Sequence, residues 1–361
     1  MSDRSENQLD QCRERIDQID DRILELMGER LEVARTIAGI KQALSEPAYY
    51  RPEREAQVLS RLRDLKPSLM SEDGVESLFR VIMSITRSSE TRLAVALLGP
   101  EGTDSETATK RHFGPAIDII RMPTVGEVFR SAEAGRTDFA VVPVENSTEE
   151  GVSIAMDLLA NSPLLVCSEI CLPLHHNLIT AAPAVADVRK VAAHPQTLSQ
   201  CRHWLGSQLA EIELVPCSSN AEGVRLAAEE PGVAAIAGKD IADAHQLPVL
   251  VANIEDDPGN SARFLVLSMR DTPPSGDDKT SFLVAAHNRP GALLQLLKPL
   301  AEHGVDMTRI ESRPFRSGNW EHVFFIDVKG HRDDPSVAGA LREIQGEAGL
   351  FRHLGSYPAA S

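Results

Sequence analysis

The feature that most limits how this chain can fold is an apolar seam with a cation set into it. From Leu9 the seam runs through Cys12, Ile16, Ile19, Ile23 and Leu26, then Arg30, then Val33, Ile37, Ile40 and Leu44. Its gaps alternate between three and four residues, the period of a helix that offers one stripe to a partner helix. Arg30 stands at a stripe position, so its guanidinium is expected inside the packed seam. An unpaired cation there is very costly and needs an anion. Two anions fit: a Glu on a neighbouring helix, or a ligand.

Further cations bear on that choice. Lys41 falls about 20° off the face of Arg30 and roughly 16 Å further along the axis. Two long side chains so placed can reach opposite ends of a small dianion. Arg13 also flanks the stripe, but it sits roughly 42 Å from Lys41 on a straight helix. It can share that ligand only from an antiparallel second chain. A helix from Leu9 to Leu44 spans roughly 54 Å, too long for one small core. An intertwined homodimer, or a higher homo-oligomer built on it, is expected.

The segment Tyr50-Arg51-Pro52-Glu53-Arg54-Glu55-Ala56-Gln57-Val58-Leu59 opens a second helix, with Pro52 near its first position. Val75, Leu78, Phe79, Ile82 and Ile85 mark the apolar face of a third, from about Ser71 to Thr91. This layout resembles the all-helical chorismate mutases fused to the front of bacterial P-proteins. The resemblance implies that Arg13, Arg30, Lys41, Arg54, Glu55, Thr86 and Glu90 contact chorismate, with Arg30, Lys41 and Glu90 catalytic. Arg51 stands where some members carry an acid, and Glu90 where some carry Gln. The residue types suit the chemistry, a concerted rearrangement to prephenate with no nucleophile, metal or cofactor. The protein must hold a dianion compact and stabilise charge on its ether oxygen. Arginines clamp carboxylates bidentately, while Lys41 and a protonated Glu90 are the implied donors to the ether oxygen.

At 361 residues the chain has room for two or three domains with real cores. No run of eighteen apolar residues is present, and the opening MSDRSENQLDQCRER lacks the apolar core of a signal peptide. Five cysteines, odd and sparse, fit a reducing cytoplasm. Cys167 and Cys171 have no second ligand pair nearby, so no metal site is expected. The net charge of −16 disfavours nucleic acid and polyanionic surfaces, and no membrane partner is expected.

After Arg92 the pattern changes. Leu93 to Leu98 reads as a buried strand ending in the turn Gly99-Pro100-Glu101-Gly102. Further strands are expected at 139–144, 164–167, 174–179, 188–192, 212–215, 233–236 and 263–267, with helical composition between several of them. That is an α/β layout of mostly parallel strands, with ligands at strand carboxyl ends. Pro143-Val144-Glu145-Asn146-Ser147-Thr148 and His194-Pro195-Gln196-Thr197 each pass from strand to helix, where open amides favour an anion. Gln200 follows the second motif, and Gly259-Asn260-Ser261-Ala262-Arg263-Phe264 enters the last strand. In this order the motifs resemble prephenate dehydratase, whose two lobes are similar to periplasmic binding proteins. The resemblance implies Glu145, Asn146, Ser147, His194, Gln196, Gln200, Asn260 and Arg263 as prephenate contacts. Three positions depart from that family's pattern. Ala262 replaces a Thr, Ala193 a Ser, and Asp104 an aromatic residue. Dehydration needs a proton delivered to a departing hydroxyl, and neither alanine can supply it.

A Pro/Gly/Asp-rich stretch, 271–278, reads as a linker. Beyond it a βαββα pattern carries Gly291-Ala292-Leu293 at a helix start and Glu311-Ser312-Arg313-Pro314 in a strand. These motifs resemble the ACT domain of P-proteins and imply a phenylalanine site between paired subunits. The expected multidomain architecture is an all-α mutase domain (1–91), an α/β two-lobed dehydratase-like domain (92–270), the linker, and an α+β ferredoxin-like ACT domain (279–361). Three readings follow: a cytoplasmic bifunctional enzyme under phenylalanine feedback, a monofunctional mutase with a sensing module, and a prephenate decarboxylase that retains the hydroxyl.

Overall fold

The apolar seam lies on one unbroken helix. The computed structural model describes residues 2–43, 50–145, 149–285, 289–314 and 322–360. In it α1 spans Ser2–Ala43, α2 Pro52–Leu65 and α3 Glu72–Ser88. The 42 residues of α1 extend for roughly 63 Å. Pro52 starts α2, and Ser71 caps α3 by accepting from the Gly74 amide at 3.1 Å. Leu9, Ile16, Ile19, Ile23, Leu26, Val33, Ile37 and Ile40 are all between 46% and 60% exposed. The described residues of its own chain leave these eight side chains about half-exposed, and α3 meets the stripe at Arg30. The helix α3 divides its apolar residues, burying Val75 and Met83 and exposing Leu78 and Ile85. Leu44 lies outside the described residues.

Two α/β lobes follow. The first contains β1 (Leu93–Leu98), α4 (Asp104–Phe113), β2 (Ile117–Met122), α5 (Val125–Glu133), β3 (Phe139–Glu145), α6 (Glu149–Leu159) and β4 (Leu165–Pro173). The second contains β5 (Asn177–Ile179), β6 (Lys190–Ala193), α7 (Pro195–Gln200), α8 (Arg202–Gln208), β7 (Glu213–Pro216), α9 (Asn220–Glu229), β8 (Val233–Ala237), α10 (Lys239–Ala244) and β9 (Val249–Val251). The chain then returns through β10 (Ser261–Ser268) to the first sheet, whose order is β2-β1-β3-β10-β4. The second sheet runs β7-β6-β8-β5-β9. Each sheet is only partly parallel: β10 pairs antiparallel with both β3 and β4, and β5 with both β8 and β9. The expected strand 174–179 is therefore shorter, because Leu174, His175 and His176 cross between lobes. The return crossing comes before β10, and the two are laced together: Leu174 N donates to Asn260 O at 2.9 Å, and Ile254 N to His176 O at 2.8 Å.

The third domain contains β11 (Asp278–Ala285), α11 (Ala292–Glu302), β12 (Met307–Pro314), β13 (His322–Lys329), α12 (Pro335–Glu347) and β14 (Leu350–Pro358). Its sheet order, β12-β13-β11-β14, is antiparallel throughout. The expected βαββα pattern thus gains a closing strand. Helices α11 and α12 cover one face, around Phe282, Leu300, Ile326 and Ile344. The other face joins the first lobe in one core that includes Val142, Met156, Val166, Leu283, Phe325 and Tyr357. The contact is close enough to require Gly355 (φ +148°), where a β-carbon would meet Val166 O at 2.2 Å. The expected linker is not a free tether either. Thr272 and Asp278 are buried, and His331 Nε2 lies 2.9 Å from Thr272 O.

Candidate active sites

The mutase residues lie around α1, α2 and α3. Arg30 is half-buried on α1 and its Nη1 donates to Thr86 Oγ1, which in turn donates to Ile82 O at 2.7 Å. Burial pulls the Arg30 guanidinium down, and Glu55 opposes it. Glu55 accepts from Arg87 Nη1 at 2.6 Å, and burial pushes its carboxyl up against the nearby Arg87 and Arg80. Within this chain Glu55, on a neighbouring helix, is a carboxylate that acts on Arg30. Arg54 is exposed, and Glu90 is half-buried just past the end of α3. Arg13 is exposed far along α1 and pairs with Asp10 at 3.2 Å. Lys41 falls in the last turn of α1, with its side chain outside the described residues. One chain therefore brings Arg30, Glu55 and Thr86 together and leaves Arg13 remote.

A second site is the cleft between the two α/β lobes, about 230 Å³ in volume. Lobe one contributes the loop 98–105 and Pro143, the crossing contributes Leu174 and His176, and lobe two contributes His194, Gln196, Thr197, Gln200, Ser218, Ser219, Asn220 and Ile241. The starts of α4, α7 and α9 all point into it. Helix starts offer amide donors and partial positive charge, which suits an anionic ligand. Thr103 provides no side-chain cap for α4. Positions are held from behind: Asn220 Oδ1 accepts from His194 N at 3.0 Å, and His194 Nδ1 from Gln196 N at 3.3 Å. Gly102 (φ +75°) brings the first loop against Ala221 of lobe two, leaving a β-carbon only 3.0 Å from its methyl.

Of the residues expected here, His194, Gln196, Gln200 and Asp104 line the cleft. Asn146 and Ser147 lie outside the described residues, and Asn260 sits at the return crossing. Burial pushes the Asp104 carboxyl up, opposed by His176 and His194. Ala262 and Ala193 are fully buried and do not line the cleft. Ala262 packs with Leu172, Leu174 and Phe264 behind its wall. His176 was not expected. A histidine beside a short apolar run reads as a core residue, and the His175-His176 doublet between strands was the available signal.

Arg263 and Glu145 require correction. Successive residues of a strand face opposite sides, so while Ala262 and Phe264 face the core, Arg263 faces the ACT sheet. Its Nε donates to Glu169 Oε2 at 2.9 Å, and its Nη2 donates to Asp327 Oδ2 at 2.8 Å and to the Tyr357 hydroxyl at 3.2 Å. Glu145 Oε1 lies 3.3 Å from Arg263 Nη1 and 2.8 Å from Arg309 Nε. Burial alone would pull the guanidinium down, but Tyr357, Asp327 and Glu169 raise it. Both residues bind across the domain junction, not into the cleft.

The two ACT motifs share one end of their sheet. Val323 pairs with Ala285 on one side and Arg313 on the other, so the ends of β11 and β12 stand two strand spacings apart, about 10 Å. Gly291 (φ +79°) opens α11, followed by half-buried Ala292 and Leu293. On β12, Glu311 contacts Arg309 at 2.5 Å and Arg313 at 3.7 Å, Ser312 faces His322 at 3.3 Å, and Pro314 is exposed. Strand β12 is the open edge of the sheet, with Met307 and Ile310 exposed.

Comparisons with known proteins agree domain by domain. The family model of chorismate mutase type II matches residues 12–91, that of prephenate dehydratase 95–272, and that of the ACT domain 280–346. A bifunctional chorismate mutase/prephenate dehydratase of Pseudomonas aeruginosa is 44% identical, over 98% of this chain and 99% of the relative. One from Aquifex aeolicus is 34% identical over 98% of both chains. The crystal structure of prephenate dehydratase from Arthrobacter aurescens in complex with L-Phe superposes with a TM-score of 0.68 at 33% identity, covering 74% of this chain and 90% of that one.

The cleft loop supplies a pH test. Glu106 is buried beneath it and accepts from Gly102 N at 3.2 Å and Arg121 Nε at 3.0 Å, with Lys110 Nζ at 2.7 Å. Burial alone would push its carboxyl up, but Arg121, Lys110 and the Gly102 amide hold it at about 2. The folded value lies below the ordinary 4.5, so the stabilisation is full above that pH and is lost as pH falls toward 2. Its size is on the order of 3 kcal/mol. Glu106→Gln is expected to lower the midpoint of thermal unfolding at neutral pH, with the gap to the native chain narrowing through the acid range. A gap that stays constant with pH would contradict this account.

Proposed function

The chain belongs to the family of bifunctional chorismate mutase/prephenate dehydratases with a C-terminal ACT domain, and from that premise we propose how its residues share the work. It isomerises chorismate to prephenate and dehydrates prephenate to phenylpyruvate on the way to phenylalanine, with the ACT domain as its regulatory part. The mutase centre works in a homodimer whose two α1 helices lie antiparallel. One observation carries this reading: among the described residues the apolar side chains of the α1 stripe stay about half-exposed from Leu9 to Ile40, while Arg13 stands remote from Arg30. The partner subunit's Arg13 completes the carboxylate clamp around Arg30. Thr86 orients Arg30, and Lys41 and Glu90 donate to the ether oxygen as charge builds there. The clamp holds the dianion in its reactive shape, converting binding into lost entropy before the concerted step.

Prephenate then binds in the interlobe cleft, with its carboxylates at the open helix starts and Gln196, His194 and Gln200 around them. Phenylalanine binds at the sheet end that carries Gly291 to Leu293 and Glu311 to Pro314, and the open edge at β12 is where two ACT domains meet. The five cysteines are all unpaired, which fits a reducing compartment, and the proposed location is the cytoplasm.

Two measurements test this. Arg13→Ala and Arg30→Ala chains are each expected to lose ~10²-fold or more of mutase turnover. Co-expressed under separate tags and isolated as heterodimers, they regain substantial activity, because one site then holds both arginines. Confirmed heterodimers that stay inactive would contradict the shared site. For the ACT domain, calorimetry is expected to register phenylalanine binding to the native chain at millimolar concentration or below and none to Gly291→Leu. The variant keeps its mutase activity. Equal binding by both chains would move the effector site elsewhere.

A further inference from the structure

The dehydratase reaction needs an acid, and no hydroxyl stands at position 262 or 193. We propose that Asp104 is that acid and that His176 holds the substrate's ring hydroxyl to it. The inference rests on the dehydratase reading of the cleft. Among the described residues lining the cleft, Asp104 is the one carboxyl group, and the only other titratable groups facing it are His176 and His194. His194 has its Nδ1 engaged by the Gln196 amide. His176 is different.

His176 is 4% exposed, yet it lines the cleft at the crossing between lobes. Its Nε2 lies 2.8 Å from Gln200 Oε1, and its Nδ1 has no hydrogen-bond partner among the described residues. An amide oxygen only accepts, so Nε2 carries the hydrogen and Nδ1 offers a lone pair. A buried polar atom left unpaired is costly and rare. A ligand hydroxyl donating to Nδ1 would satisfy it. The backbone around the ring is fixed as well: Glu255 Oε2 accepts from His176 N at 2.9 Å and Glu255 Oε1 faces His175 Nδ1 at 3.0 Å.

The chemistry balances. The Asp104 O–H bond breaks as its proton joins the ring hydroxyl, whose own hydrogen stays on that oxygen while donating a hydrogen bond to His176 Nδ1. The C–O bond breaks and water leaves with that electron pair. The bond from the ring to its carboxylate breaks in turn, carbon dioxide departs, and its electrons complete the aromatic ring. Solvent then returns a proton to the Asp104 carboxylate. Burial already favours the acid form of Asp104, and the two carboxylates of arriving prephenate favour it further.

Full-length native chain, Asp104→Asn and His176→Phe are assayed on prephenate, with phenylpyruvate identified by mass spectrometry and mutase turnover measured on the same preparations. Asp104→Asn is expected to lower dehydratase kcat by ~10²–10⁴-fold while prephenate binding by calorimetry and mutase turnover persist. The native kcat declines as pH rises through the Asp104 range, and whatever turnover remains in Asp104→Asn lacks that decline. His176→Phe lowers kcat as well. Should Asp104→Asn lose mutase turnover too, Asp104→Glu decides: retained dehydratase activity with the same pH decline supports the acid role. Native kcat in Asp104→Asn would overturn the assignment of the acid, and native kcat in His176→Phe that of the hydroxyl holder. A native chain that binds prephenate but releases no phenylpyruvate would overturn the dehydratase reading itself.

Discussion

An apolar stripe that the described residues of its own chain leave half-exposed is the constraint on which the mutase half depends. Eight large side chains of α1, from Leu9 to Ile40, stand about half-exposed, and covering each one is worth on the order of 1 kcal/mol. A bundle partner is therefore favoured wherever one is available, and a second copy presents the same stripe. The stripe also explains why Arg30 sits among apolar residues. In an isolated chain it leans on Thr86 near Glu55, and in the proposed pair it faces a closed, charge-lined chamber. Burial that would be a liability in a purely structural helix becomes the source of binding strength for a dianion.

The rest of the chain is tied into one block by charge that is itself buried. Arg263 joins β10 to the ACT sheet through Asp327 and Tyr357, Glu169 reaches Lys279 at 2.6 Å, and Ser281 donates to Asp327 at 2.6 Å. Removing one partner from such a set costs roughly 3–5 kcal/mol, because the others stay buried unpaired. Helix α4 makes the second tie. Arg87 and Arg80 of α3 donate to the carbonyls of Phe113 and His112 at 2.7 and 3.1 Å, the end where a helix favours cations. The opposite end of the same helix opens at Asp104 in the interlobe cleft, roughly 15 Å away. The mutase helices and the dehydratase cleft thus share a rigid element.

Much of this was legible in the residue order. The three–four spacing gave α1, Pro52 and Ser71 marked helix starts, and strand-to-helix turns located the cleft at His194 and Gln196. The sheet directions were less legible: β10 lies antiparallel between β3 and β4, a pairing that only tertiary structure decides. Strand β2 escaped because Asp118 and Arg121 break its apolar run at an exposed edge. Arg263 was misplaced because a motif fixes which residues are neighbours, whereas strand alternation sends neighbours to opposite faces. At Asp104 the departure from an aromatic residue was visible. Its company with His176 was not, since that depends on a crossing seventy residues further along the chain. Asn146, Ser147 and the side chain of Lys41 fall outside the described residues.

The antiparallel pairing of α1 can be measured as a distance. Cys12 lies exposed on the stripe beside Arg13, and the other exposed cysteine, Cys171, can be changed to Ser. A nitroxide on Cys12 then reports the separation of the two copies by pulsed dipolar spectroscopy. If each Arg13 falls between Arg30 and Lys41 of the other chain, the labels stand roughly 30–45 Å apart. A separation near the ~10 Å of parallel neighbouring helices, or the absence of dipolar coupling in the active enzyme, would contradict the shared mutase site.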